Sequence, residues 1–158
     1  MQPTNDYLIE AREELKRLEH IIYVSLKYTR TVDVIINALN RLVAIYDLII
    51  EAFLEQAKEQ KKIDALPKSP ALRATVLGEL FPEEKELQKY MCFYGFLKTV
   101  LKLPHNKREE FRRHVTLVVE LDKSTAEIDI DNLTNCESFV HGFLHYAQKI
   151  VEGVVEED

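Results

Sequence analysis

His114-Val-Thr-Leu-Val-Val-Glu-Leu121, Asp122-Lys-Ser-Thr125 and Ala126-Glu-Ile-Asp-Ile-Asp131 form the one stretch of the chain in which apolar and polar residues alternate. A period of two puts successive side chains on opposite faces of an extended backbone, so the alternation predicts a β-hairpin over about residues 114–131. With Lys123 and Ser124 at its tip, Leu121 faces Ala126, Val119 faces Ile128 and Leu117 faces Ile130, all on one apolar face. The other face carries Glu120, Glu127, Asp129 and Asp131. Two strands are marginal alone in water, so the apolar face needs a helical layer to lie on.

Helix is what the rest of the sequence supplies. Leu8, Ala11, Leu15, Leu18, Ile22 and Ser25 recur at spacings of three and four, the stripe of an amphipathic helix from Tyr7 to about Lys27. Thr29 to Asp33 holds β-branched and capping residues, which predicts a break near Thr31. A second helix then runs to about Lys62 with Ile35, Leu39, Leu42, Tyr46, Ile49 and Phe53 on its stripe. Between Leu42 and Ile50 only Asp47 interrupts an almost continuous apolar run. Such a helix is about 45 Å long at 1.5 Å per residue. That length suits either the centre of a bundle or a subunit seam, and we read it as both, in a homodimer.

Ser69-Pro70 has the form of an N-cap followed by proline at the first helical position, and Gly78 that of a terminator. Pro82-Glu-Glu opens a fourth helix with Leu87, Met91, Tyr94, Leu97 and Leu101 on its stripe, and Pro104 closes it. Thr134-Asn-Cys-Glu137 fits a capping box, so the last helix is expected from about residue 133, with Val140, Phe143, Ala147, Ile150 and Val154 inward. An acidic tail follows at about 154–158. The predicted fold class is mainly α: one domain, 1–158, a bundle of long antiparallel helices carrying one hairpin.

The net charge of -6 hides a division. Residues 1–62 carry nine basic and ten acidic side chains, residues 63–113 ten and seven, and residues 114–158 two and ten. A general nucleic-acid binder needs a broad basic field, which this balance opposes. No apolar run reaches the roughly 18 residues that a membrane helix requires. The first residues show no secretory pattern, and Cys92 and Cys136 have no CxxC spacing, so we expect a cytoplasmic protein with two buried thiols. Only four glycines are present, and no phosphate-cradling loop or nucleophile elbow is found, so no cofactor is expected.

Three constellations can carry chemistry. Arg108-Glu-Glu-Phe-Arg-Arg-His114 places an arginine and a histidine in an Arg-x5-His arrangement, preceded by Lys107. The spacing resembles the Arg-x(4 to 6)-His signature of the HEPN family, small dimeric helical bundles that include metal-independent RNases. The resemblance implies Arg108 holding a scissile phosphate and His114 moving a proton at the ribose hydroxyl, roles that suit a guanidinium and an imidazole. Lys107, Arg108, Arg112 and Arg113 are then the anion or RNA contacts. The competing reading has these cations offsetting the acidic hairpin face, with His114 a solvated strand residue.

Glu137, His141 and His145 are the second constellation, four apart on one helix face, the geometry of a two-histidine metal chelate, although nothing nominates further ligands. The acidic hairpin face is the third, and it lacks both EF-hand spacing and its glycine, so a solvated face is expected there. Tyr90, Phe93, Tyr94 and Phe96 are read as core. The function these features favour is a non-enzymatic interaction module that binds a protein partner through its helices or hairpin edge. RNA binding or cleavage with Arg108 and His114 is the alternative.

Overall fold

The computed structural model describes residues 5–153. Helix α1 (Asp6–His20) is capped by Asn5, whose Oδ1 accepts from the backbone N–H of Tyr7 at 2.9 Å and of Leu8 at 3.2 Å. A π-helical turn (Ile21–Ser25) and one residual turn, α2 (Leu26–Tyr28), continue it. The predicted break follows at Thr29–Thr31. Thr31 accepts from Val34 N–H and opens α3 (Val32–Glu59).

Helix α3 is the axis of the molecule, with α1, α4 (Pro70–Leu80), α5 (Lys85–Lys102) and α6 (Ile130–Ala147) all packed on it. From Arg41 to Ala57 none of its residues is exposed. An all-round apolar helix is one buried on every side, and here the chain's own helices do the burying. Its length therefore requires no second subunit. Asp47, the charge in its middle, is half-buried and accepts a 2.6 Å hydrogen bond from the Tyr94 hydroxyl of α5. Rings of Tyr46, Phe53, Tyr90 and Phe143 join α3, α5 and α6, with Phe143 centred 4.6 Å from Tyr90 and 5.1 Å from Tyr46. Gly142 lets α6 approach that cluster, since a Cβ there would stand 3.0 Å from the Tyr90 hydroxyl.

Several expected boundaries move. Gly78 does not end α4, which runs two residues further to Leu80. Ser69 and Pro70 cap it as predicted. Helix α6 starts at Ile130, earlier than the Thr134 capping box implied, because Asp129 and Asn132 form the box instead. Thr134 donates its hydroxyl back to Ile130 O, so its side chain is committed inside the helix. After α6 a second π-helical turn (Gln148–Glu152) ends at Gly153, whose φ of 68° a residue without Cβ adopts freely. Buried Glu152 accepts from Asn5 N–H at 2.9 Å and pairs with Arg12 at 3.4 Å, joining the two ends of the described chain. The acidic tail lies outside the described residues.

The hairpin is part of a three-stranded antiparallel sheet, order β1 (His105–Arg108), β2 (Thr116–Glu120), β3 (Thr125–Ile128). Its register corrects the predicted one: Leu117 pairs with Ile128 and Val119 with Ala126, around a tip closed by Leu121 N–H donating to Ser124 O. A shift of two residues preserves the face, so Leu117, Val119 and Ile128 are buried as expected. Ile130 leaves the sheet for the first turn of α6 and is half-buried. The inward face lies on α3 and α6. Among the other expected core residues, Met91 and Leu101 are half-buried and Ile150 is 44% exposed, because the π-helical turn rotates Ile150 off the α6 stripe. Cys92 is exposed and Cys136 half-buried, and both are free thiols.

Candidate functional site

Strand β1 decides where the basic segment goes. Its four residues are polar and exposed, and they form a strand because β2 presents an open edge: His105 pairs with Val119 and Arg108 with Thr116. Arg108 then points to the outer face and reaches over β2 to Glu127 on β3, with 2.6 Å between Nη1 and Oε1. That hydrogen bond and charge hold the Glu127 carboxyl below its ordinary value and raise the Arg108 guanidinium further. The outer-face acid and the first arginine of the motif are thus each other's partners.

The connection from β1 to β2 is a seven-residue loop, 109–115, with unusual backbone. Glu109 has φ 57° and Phe111 φ 68°, the left-handed region that costs a residue with a Cβ about 1–2 kcal/mol. Two bonds hold the loop there. Phe111 N–H donates to Arg30 O at 2.7 Å, and Glu110 Oε1 accepts from Val32 N–H at 3.3 Å. The Glu110 carboxylate therefore sits on the N-terminus of α3, where the helix dipole favours negative charge. Lys107 Nζ stands 4.0 Å from the same carboxylate. The loop delivers Phe111 to solvent at 77% exposure, beside the end of α2, where Tyr28 is 81% exposed. Arg112 and Arg113 flank Phe111 and are exposed.

His114 does not open the strand. It lies in the loop, exposed, its carbonyl accepting from the Thr116 hydroxyl at 2.8 Å. Together with Arg113 it walls a cleft of about 300 Å³ between the π-helical turn and the start of α6. Ile22, Leu26 and Ile130 contribute apolar surface, Tyr23 an aromatic edge, and Lys27, Arg30, Asp129 and Asp131 the remaining charge. Arg108 does not line this cleft, so the two residues of the Arg-x5-His motif are directed to different places. The sequence offered no signal for Tyr23, Lys27 or Arg30, because they belong to a helix end more than 80 residues away in the chain that only the fold brings beside His114.

Glu137, His141 and His145 do lie along α6. Glu137 is buried and accepts from the Tyr23 hydroxyl at 3.4 Å, and burial chiefly raises its pKa. His141 is exposed and His145 half-buried. Among the described residues no three His, Cys, Asp or Glu side chains are grouped so as to hold a metal ion. On the adjacent face Phe93, Asn135, Cys136 and Phe139 form a shallow apolar hollow, and burial pushes the Cys136 thiol up to about 11, out of reach as a ready nucleophile. No described helix is long and apolar enough to cross a membrane. Set against protein-family models, characterised proteins and solved structures, the chain matches none.

Proposed function

We propose that this chain is a non-enzymatic interaction module, HEPN-like in type and cytoplasmic, that docks an acidic protein partner on the end of the bundle formed by α2 and the 109–115 loop. The observation that carries the reading is the pair Tyr28 and Phe111, the most exposed large hydrophobic side chains among the described residues, with Phe111 N–H bonded to the carbonyl of Arg30, two residues beyond Tyr28. A phenylalanine ring at that exposure gains little from packing within the chain, so the bonds that hold its left-handed backbone also hold an apolar ring out to solvent. Aromatic and arginine side chains are the residues that dominate binding hot spots; exposed Arg112 follows Phe111 in the chain, and Lys107 lines a hollow with Phe111. A homodimer seam, expected at α3, would have to use other surface, and the hollow at Phe93 and Phe139 beside the 40% exposed Phe96 is the apolar area that offers it.

A photo-crosslinking residue placed at Tyr28 should trap one partner that the same residue at Ile9, exposed on α1, does not. Affinity for that partner should fall by about thirtyfold or more in a Tyr28→Ala/Phe111→Ala double variant. Equal trapping from both positions, or unchanged affinity, removes the reading.

RNA binding is the second reading, supported by one observation: His114 and Arg113 share a cleft with Lys27 and Arg30. Cleavage by Arg108 and His114 would first require the Arg108 to Glu127 pair to open.

A further inference from the structure

The cleft beside His114 contains a cation that the fold leaves unanswered. Arg30 is half-buried, its Nε is shielded from solvent, and that donor has no hydrogen-bond partner among the described residues. A guanidinium stays charged at any physiological pH, and a buried donor without an acceptor is costly. Lys27 and Arg113, which line the same cleft, also form no ion pair among the described residues. The nearest acids do not answer them. Asp129 is committed to the backbone N–H of Asn132 as the α6 cap, at 2.8 Å, and Asp131 remains exposed at the rim. Three cations against two carboxylates leave the cleft with one net positive charge.

We propose that this cleft binds a small organic phosphomonoester, its phosphate on Arg30, Arg113 and Lys27 and its organic portion on the Tyr23 ring and Ile130. A phosphomonoester offers three strong acceptor oxygens to the three cations of the cleft, where a carboxylate offers two. A guanidinium presents a fork of donors that matches phosphate oxygens. The exposed Tyr23 ring and the half-buried Ile130 give the ligand an apolar seat that inorganic phosphate cannot use. Asp131 at the rim accepts from a ligand hydroxyl or amine. At about 300 Å³ the cleft is at the lower end of small-ligand sites, which run from about 300 to 1,000 Å³, so it accommodates one ring with its phosphate. The π-helical turn supports the assignment independently: Ile22 and Tyr23 belong to it, and such turns occur frequently at functional sites. This site does not depend on the protein-docking surface, whose exposed residues Tyr28 and Phe111 lie outside it.

Calorimetric titration of the full chain at constant ionic strength with phenyl phosphate, inorganic phosphate and benzoate tests the proposal. Phenyl phosphate should bind, and each of the other two should bind about tenfold or more weakly. Arg30→Gln should weaken phenyl phosphate by about tenfold or more, since it removes a charged hydrogen-bonding partner, and Arg113→Gln by a smaller factor. Arg108→Gln and Arg112→Gln, whose side chains do not line the cleft, should leave it unchanged. The backbone bond from Phe111 to Arg30 O survives the Arg30 substitution, and a far-ultraviolet spectrum and melting curve verify the fold. Failure of the folded wild type to bind phenyl phosphate, or full affinity in folded Arg30→Gln, overturns the site. Equal affinity for inorganic phosphate overturns the organic seat, and equal losses at Arg108 and Arg112 reduce the effect to general surface charge.

Discussion

The α3-centred bundle and the sheet end of the molecule solve different problems with the same chain. In the bundle nearly every structural residue is apolar and its place follows from a spacing of three and four; Tyr46 and Phe143 are fully buried and centred 5.1 Å apart. At the sheet end the structure is held by polar bonds between segments distant in sequence, Glu110 on the α3 N-terminus, Phe111 on Arg30 and Arg108 on Glu127. Burial is cumulative and non-directional, so the bundle tolerates small errors of placement. Polar bonds are directional and individually modest, so the sheet end can be reshaped at little cost to the fold. Both proposed binding surfaces lie at that end.

The contrast should appear first in stability. Phe143→Ala removes a fully buried ring that touches Tyr46, Phe53 and Tyr90, and should cost about 3–5 kcal/mol in chemical unfolding. A cost below about 1 kcal/mol would mean that the ring cluster does not hold α6 to α3.

A smaller effect is expected at Asp47, the polar bond inside the bundle. Asp47→Leu leaves the Tyr94 hydroxyl without its acceptor and should cost about 1–3 kcal/mol, whereas Asp47→Asn retains an acceptor. Burial chiefly raises the Asp47 pKa above its ordinary 3.8, against the lowering effects of Tyr94, Lys98 and Arg73. A carboxyl with a raised folded pKa binds its proton more tightly when folded. Its contribution to stability therefore grows as pH falls through the raised value and is unfavourable above it. Stability measured between that value and pH 3.8 should rise less on acidification in Asp47→Asn than in the wild type, and identical pH profiles would show that Asp47 does not titrate in this range.

Arg108→Gln should have the smallest effect on the fold, with no measurable change in Tm, because the pair it breaks is exposed. Its signature is local. Glu127, held below 4.5 by the Arg108 hydrogen bond first and its charge second, should titrate closer to 4.5 in a carboxyl carbon-shift experiment. The sign is opposite to that of Asp47: a lowered folded pKa contributes stability above the ordinary value and loses it as pH falls. A loss of stability rivalling that of Phe143→Ala would erase the distinction between the two regions.

How much could be read beforehand follows the same division. The stripes on α1, α3, α5 and α6 and the break at Thr31 were legible because apolar periodicity and a capping threonine are local properties. The apolar face of the hairpin was legible, but its register was not. Shifts of two residues keep the same face, and only the tip, closed by Leu121 and Ser124, chooses among them. Strand β1 was invisible because His-Asn-Lys-Arg has no alternation. Its cause is the open edge of β2. Of the motif from Arg108 to His114, the residues were correctly singled out as a segment of interest, while their grouping was not, since the strand sends Arg108 to Glu127 and the loop sends His114 to the cleft.

The amino-acid sequence by itself determined a mainly α bundle with an amphipathic β-element, because burial of apolar area acts on patterns that are local in the chain. Only the tertiary structure decided that α3 is covered by its own chain and that β2 gains a second partner. It alone decided that Arg30 lies beside Arg113 and His114 with its Nε lacking a hydrogen-bond partner among the described residues. Those outcomes depend on which surfaces meet and which donors find acceptors, and neither is written in the spacing of residues along one segment.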